Sequence, residues 1–467
     1  MPEPEVYLIH GVAPEVGAYA MAKYSRSALS MRESLREIDG QKAEKFLNTF
    51  YFQYGHRSIA DLAHLSFAIE RLSILAAIEV ADETRWDGQE RSTRYQEFKR
   101  TGYVTPAELG PEAGFAPAME ALFAAYDALS ARMLEALEAQ HPRPEAMKPE
   151  AYRRTLRARA FDVSRYLLPL ATATSLGQIV SARTLEQQIV RLLSSPLAEC
   201  RGLGAALKRA ASAPEAVPTL VKYTDPSDYL LRSGAELAAA ARELMAETAP
   251  ETGLRVELVE PPPAEVEIAA SLLYPHCHHA YRQILEAVAG LSAARREEIL
   301  GLGVAHRGAH DELARPYRAG QRFQFDILMD IGGFRDLHRH RRCVQLRQTY
   351  TPLHGYETPA ELEWAPPEAA EGYHAAMEAG LSWVKNTQPR AGAAAAYGLP
   401  LGTRIRSLFK MDFAEAAYIA ELRTGVGGHA SYRTAAWAMY HALHARHPAL
   451  ARGLRVTEPS VSDPLQR

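Results

Sequence analysis

The chain is short of cysteine, of asparagine and of long apolar runs. Cys200, Cys277 and Cys343 are its three cysteines in 467 residues. An odd, sparse set builds no disulfide framework and implies a reducing compartment. No apolar run approaches membrane-spanning length, and the N-terminus has no charged-then-apolar signal pattern. The expectation is a cytoplasmic protein with no membrane partner. The formal net charge of -3 argues against bulk nucleic-acid binding and leaves room for a local basic pocket for a small anion. No Gly-rich phosphate loop or dinucleotide fingerprint occurs, so a dinucleotide would not be held by a Rossmann fold. Asparagine is confined to Asn48 and Asn386, and Arg far outnumbers Lys, a usage that hints at a thermophilic or GC-rich source.

Against this background one stretch stands out. Residues 335–357 read RDLHRHRRCVQLRQTYTPLHGYE, centred on Arg339, His340 and Arg341. An Arg run is commonly a solvated surface. Here histidine and aromatic residues are interleaved with it. The preceding residues 322–327 alternate polar and apolar, the period of a half-buried strand. The basic cluster is therefore expected just after a strand, on an element that a sheet holds in place.

The chain also repeats itself. Gly102-Tyr103-Val104-Thr105-Pro106-Ala107-Glu108-Leu109 returns as Gly355-Tyr356-Glu357-Thr358-Pro359-Ala360-Glu361-Leu362, with seven of eight positions identical. Gly55-His56-Arg57-Ser58 has a partner in Ala305-His306-Arg307-Gly308, and Leu168-Pro169-Leu170 in Leu399-Pro400-Leu401. The division expected is a first repeat over 1–209, a connection over 210–262 and a second repeat over 263–467. Each repeat is long enough for one domain with its own core.

Within the repeats, residues 7–10 and 64–70 read as strands and residues 16–31 and 44–54 as helices. Residues 85–95 read as a polar turn, the positional counterpart of the basic cluster. Met119, Leu122, Phe123, Tyr126, Leu129, Met133 and Leu137 recur at three- and four-residue steps, an amphipathic helix whose stripe is assigned to core packing. Residues 373–384 are its weaker counterpart. Residues 153–165, 182–193 and 411–423 read as further helices, the last with Phe413, Ala417 and Ala420 on one side. Strands early and helices late in each repeat give an α+β, mixed α/β fold of two tandem domains, sheet plus helices.

The order of motifs is Gly-His-x-Ser, a strand, Arg-His-Arg, Ser-x-Arg-Tyr, Arg-x-x-Leu-Pro and a helix carrying a further Arg. It resembles the flavin-dependent thymidylate synthases. That resemblance implies reductive methylation of dUMP to dTMP with FAD as cofactor, methylenetetrahydrofolate as methylene donor and NADPH as reductant. It also implies sites built at subunit junctions, with a homodimer of this two-repeat chain standing in for the family's homotetramer. The family signature is Arg-His-Arg-x-x-Ser-x-Asn-x-x-Ser-x-Arg-Tyr. The first repeat keeps its end, Ser92-Thr93-Arg94-Tyr95, but has Asp82-Glu83-Thr84 in place of Arg-His-Arg. The second keeps Arg339-His340-Arg341 but ends in Thr349-Tyr350-Thr351-Pro352. Arg165 has Ala396 as its counterpart, and Arg423 has Leu192.

The halves read as complementary, each completing a composite site. By resemblance, Ser92, Arg94, Arg165 and Arg423 would hold dUMP; Arg forks suit a phosphate. Arg339, His340 and Arg341 would be the catalytic set, cations near a reduced flavin. FAD would also meet Ser25, Arg183 and one or both of His56 and His306, with Ser181 standing where the family has an amide. Two other readings stay open: a flavin- or nucleotide-binding paralogue with an altered reaction, and a non-catalytic partner of an intact synthase. His276-Cys277-His278-His279 is dense in ligand types, but adjacent side chains do not converge on one ion, and no metal is assigned. Cys343, inside the basic cluster, is a place where a lowered thiol pKa is conceivable, though no nucleophile is assigned there.

Overall fold

The computed structural model describes residues 5–24, 27, 29–38, 40–53, 57–98, 102–110, 114–461 and 463–466. The chain is a mixed α/β fold carrying two tandem regions of the same type. It divides into two compact units. One comprises Met1–Leu72, Ala76–Glu90 and Ser175–Ser227; the other comprises Ser73–Leu75, Arg91–Thr174 and Asp228–Arg467. The second unit thus holds part of the first repeat together with the whole second repeat.

The first unit begins with α1 (Pro14–Lys23), α2 (Met31–Glu37) and α3 (Gly40–Leu47), the last continuing as a π-helical turn over Asn48–Gln53. The helix expected over 16–31 is therefore two, with α2 starting afresh at an N-cap, Ser30, whose side chain accepts from Glu33 N. Residues 7–10 are not a strand. The three-stranded sheet has the order β1-β3-β2, from β1 (His64–Ser73), β2 (Asp87–Glu90) and β3 (Ala173–Ser181). Between β1 and β2 lies α4 (Ile74–Ala81). β2 occupies the middle of the expected polar turn because it pairs antiparallel with β3, Asp87 opposite Ile179. Helices α5 (Phe115–Gln140) and α6 (Pro149–Ser164) precede β3, and α7 (Ala182–Leu193) and α8 (Ala198–Ala211) follow it. All seven residues of the predicted α5 stripe are buried.

Segment 210–262 carries α9 (Asp228–Leu244) and β4 (Val256–Val259). After it come α10 (Ala264–Leu273), α11 (Tyr281–Ala289) and α12 (Ala293–Leu302), then β5 (Phe323–Asp330), α13 (Ile331–Leu337) and β6 (Val344–Arg347). The chain closes with α14 (Pro367–Ala391), β7 (Arg404–Met411), α15 (Phe413–Arg423), α16 (Ala430–Arg446) and α17 (Pro448–Ala451). The sheet order is β4-β5-β7-β6, with every pair antiparallel. Its strands β5-β7-β6 repeat the order of the first sheet.

β5 is buried along its whole length, not on alternate residues. It lies between two other strands, and its polar residues are satisfied inside. Asp326 accepts from Arg406 Nη1 (2.8 Å), Tyr274 Oη (2.7 Å) and Tyr281 N (2.8 Å). Helix α15 starts at Phe413 rather than 411, capped by Asp412, and buries Glu415, Ala416, Ile419 and Ala420. Asp330 likewise caps α13, accepting from Gly333 N at 2.6 Å. Glycine at 333 leaves room for its neighbours: a Cβ there would stand 2.6 Å from Ser431 Oγ and 2.7 Å from Met329 Cε, so both side chains would have to shift. Among the described residues, no helix is long and apolar enough to cross a membrane.

The motifs that revealed the repeat are its structural joints. Tyr103 bridges Thr172, and Tyr356 bridges Thr403. Ile74 N and Leu75 N donate to Thr172 O and Leu170 O at 2.9 and 3.0 Å; Ile331 N and Gly332 N donate to Thr403 O and Leu401 O at the same distances. The two Leu-Pro-Leu segments then pair with each other. Leu170 N donates to Leu399 O (2.8 Å) and Leu401 N to Leu168 O (2.9 Å). Exchanging roles in this way is the mark of a two-fold contact, built here inside one chain. Helices α5 and α14 pack together beside it.

Candidate functional site

The Leu-Pro-Leu joint brings the end of α6 from the first repeat to α13 and α16 of the second. Arg165 is the residue after α6. It is 2% exposed, and its Nη2 donates to Asp336 Oδ2 at 3.2 Å. Asp336 lies near the end of α13. Arg94 follows the turn that Ser92 makes by accepting from Arg94 N (3.2 Å). The buried Arg94 guanidinium forks onto Asp162 of α6, with Nε–Oδ1 at 2.7 Å and Nη2–Oδ2 at 3.1 Å. Its Nη1 donates to Tyr432 Oη of α16 at 3.0 Å. Burial works against this cation, but Asp162 keeps its pKa above the usual value.

From the second repeat, Arg423 ends α15 and its guanidinium lies 5.3 Å from the centre of the Tyr432 ring. Arg94 stands 5.6 Å from the same ring. Two arginines from different repeats thus share one aromatic side chain. Arg423 Nε donates to His340 Nε2 at 2.8 Å. Because that nitrogen accepts, the His340 proton is on Nδ1, which faces Glu415 Oε1 at 3.0 Å. Burial lowers the His340 pKa, with Glu415 opposing and Arg423 adding to the fall. His340 is a neutral, clamped imidazole. His429, just before α16, donates from Nε2 to Asp162 O (2.9 Å) and caps α16 by accepting from Ser431 N (3.2 Å). Burial first, then Arg165, lowers it to about 3.

These groups converge on Asp336. Burial alone would raise its carboxyl pKa, yet the guanidinium charges, Arg165 first, then Arg94 and Arg423, hold it below the usual value. Arg94, Arg165, Arg423 and His340 therefore belong to one cluster drawn from both repeats. Arg159 flanks it, 3.9 Å from Asp162 Oδ2 and donating to the carbonyls of Val426 and Gly428. Gly425, Gly427 and Gly428 form the bend that lets those carbonyls approach, between α15 and α16.

The basic turn after α13 is separated from β5 by that helix. Arg339 on it is exposed, and Arg341 is half-buried with Nη1 3.4 Å from His338 Nε2. Cys343 is buried among this turn's own groups, and burial pushes its thiol up to about 12, the reverse of an activated cysteine. His306 pairs with Glu236 of α9 at 2.8 Å. Arg183 belongs to the other unit, where it pairs with Asp61 at 3.2 Å. Ser25 and His56 lie outside the described residues. Among the described residues, no three His, Cys, Asp or Glu side chains are arranged to hold a metal ion.

Sequence reasoning missed Asp162, Asp336, Glu415, His429 and Tyr432. Asp336 had a visible signal, a single acid inside the run RDLHRHR. The Gly-rich break ahead of His429 was another. Asp162 and Glu415 had none, since nothing in their local pattern marks a helical carboxylate as an arginine partner.

At the positions matching the second repeat's half of the cluster, the carboxylate is kept and the histidine is replaced by a second carboxylate. Glu79 and Glu83 stand 257 residues before Asp336 and His340, the same step that relates Ile74 to Ile331. Both face Arg191, at 3.7 Å from Glu79 Oε2 and 2.7 Å from Glu83 Oε1.

Comparison with known proteins follows the same division. The UPF0159 protein of Chlamydia muridarum is 29% identical over 489 residues, covering 96% of this chain and 92% of its own. That of Chlamydia pneumoniae is 28% identical, covering 92% and 88%. UPF0159 protein Ta1429 of Thermoplasma acidophilum is 26% identical, covering 92% and 93%. Among solved structures, the flavin dependent thymidylate synthase ThyX of Helicobacter pylori, complexed with FAD and dUMP, is 18% identical with a TM-score of 0.29, covering 43% of this chain and 89% of that one. The family described as thymidylate synthase complementing protein matches twice, over residues 8–214 and 259–449. With both repeats matched, the chain belongs to the thymidylate synthase complementing protein family.

Proposed function

We propose that the chain is a flavin-dependent thymidylate synthase with composite sites, methylating dUMP with methylenetetrahydrofolate and NADPH. The observation that carries this reading is geometric: Arg94 and Arg423 lie against one Tyr432 ring, and Arg165, within 3.5 Å of Thr93 Oγ1 beside Arg94, pairs with Asp336. These are the arginines that the family resemblance assigns to dUMP, and neither repeat holds all three. Membership of the family over both repeats supports it further. Arg forks and a Tyr face suit a nucleoside monophosphate. The pairs Arg94–Asp162 and Arg423–His340 hold two of the arginines in place, which lowers the ordering cost on binding.

FAD would carry hydride from NADPH to the methylene carbon. The exposed Arg339 and half-buried Arg341 supply the cationic surface that a pyrophosphate or an anionic reduced ring requires. His340 would act through position rather than charge, since both its nitrogens are engaged and it is neutral. Two chains would supply four family domains.

A second reading, an altered reaction on the same fold, draws on one observation: Asp162 and Asp336 already neutralise Arg94 and Arg165. The test is the visible spectrum of the purified protein loaded with FAD, with and without dUMP. The synthase reading expects retained flavin, bands that shift with dUMP, and turnover with methylenetetrahydrofolate and NADPH. Flavin that ignores dUMP would favour the altered reaction. A chain that retains no flavin would leave only the non-catalytic partner.

A further inference from the structure

Asp336 stands where an incoming anion would have to go. Its Oδ2 accepts from Arg165 Nη2 at 3.2 Å, and Arg165 has few other partners. Arg165 Nη1 reaches Thr93 Oγ1 only at 3.5 Å, and its Nε has no hydrogen-bond partner among the described residues, although it is buried. Arg94 differs, with four of its five N–H donors placed on Asp162, Tyr432 Oη and Gly427 O. Of the two buried first-repeat arginines, Arg165 is thus the one with more donor capacity to spare. A phosphate dianion cannot use that capacity while Asp336 remains, because two like charges would share one guanidinium in a poorly solvated place.

We propose that Asp336 is the resident anion of the arginine site, and that a nucleotide's phosphate binds by displacing it from Arg165. This rests on the reading of the cluster as a nucleotide-phosphate site and adds how that site opens. The displacement reaches further because of where Asp336 lies. It sits near the end of α13, two residues before His338 and directly ahead of the turn that carries Arg339, His340 and Arg341. That turn hangs on the same helix end: His338 N donates to Phe334 O at 2.7 Å and His340 N to Leu337 O at 3.0 Å. Moving Asp336 off Arg165 loosens these bonds and the Arg423–His340–Glu415 clamp beyond them. Phosphate occupancy and the arrangement of the basic turn are therefore coupled.

The test is calorimetric titration of the full chain and its Asp336→Asn variant, each with inorganic phosphate and with dUMP. Removing one like charge close to the bound anion should tighten both ligands by about tenfold or more. Tightening of dUMP alone would place the competition at the base rather than the phosphate and overturn the proposal. Unchanged or weaker phosphate binding, or none to the variant, would also overturn it and make Asp336 a positioning residue for Arg165. A second measurement needs no variant. Hydrogen exchange over residues 331–342 of the natural chain should speed up when dUMP is added; slower or unchanged exchange there contradicts the coupling. Failure of thymidylate synthesis, with these binding results intact, would sink the reaction and leave the anion exchange standing.

Discussion

Residues 6–9 and 256–259 hold matching places in the two repeats, 250 residues apart, and only the second set is a strand. Val6, Leu8 and Ile9 answer Val256, Leu258 and Val259. The anchor beside them is matched too: the Arg32 guanidinium lies 4.1 Å from the centre of the Tyr7 ring, and Arg282 pairs with Glu257 at 3.3 Å. Yet Leu258 is buried under α16, while Leu8 is 82% exposed. An apolar pattern makes a strand when something covers its face. The same lesson holds at the site. Both repeats keep the backbone joint, so the fold survives in both. The side chains diverge, with Arg94 and Arg165 kept in one and His340 and Arg423 in the other.

Stability should separate the repeats most. Asp162→Ala leaves the Arg94 guanidinium buried without its carboxylate, which should cost about 3–5 kcal/mol in urea denaturation. Glu83→Ala in the first repeat should cost about 1 kcal/mol, because Arg191 is partly solvated and keeps Glu79. Equal losses would erase the distinction between a pair buried on both sides and one whose arginine is partly exposed. Next, Leu258→Ala should cost about 2–4 kcal/mol by cavity formation, and Leu8→Ala less than about 0.5 kcal/mol. A large loss at Leu8 would mean that the N-terminal segment is covered after all.

Ligand binding should separate them in turn. Arg423→Ala removes a charged donor and should weaken dUMP by about 10- to 100-fold, near 1.5–3 kcal/mol. Arg191→Ala should leave dUMP binding unchanged, and a comparable loss there would mean that the acidic counterpart also binds nucleotide. The smallest effect concerns pH. Burial pushes the Asp330 carboxyl up to about 6 from 3.8. A pKa raised on folding gives stability that is full below the unfolded value and is lost as pH rises through the folded one. Asp330→Asn keeps the helix cap and removes this slope. It should match the natural chain near pH 4 and exceed it above pH 6, by roughly 1–3 kcal/mol. The first repeat has Ser73 at this place and adds no such term.

Much of this was legible before the structure. The α5 stripe and the two Leu-Pro-Leu segments could be named from residue patterns, and Arg94, Arg165 and Arg423 only through the family resemblance in motif order. What escaped depended on neighbours distant in sequence. The alternation over 322–327 suggested a half-buried strand, but flanking strands and Arg406 bury its polar face as well. The Cys343 thiol sits among cations, yet burial outweighs them. Asp336 was visible as a letter in a basic run, but its meaning needs Arg165, 171 residues away.

The most direct test of the composite site is stoichiometry, measured by calorimetric titration of the purified chain with dUMP. Arginines divided between the repeats predict one dUMP for each chain of 467 residues. Two per chain would mean that each repeat binds alone, and none would mean that the cluster is an internal ion-pair network with no nucleotide to hold.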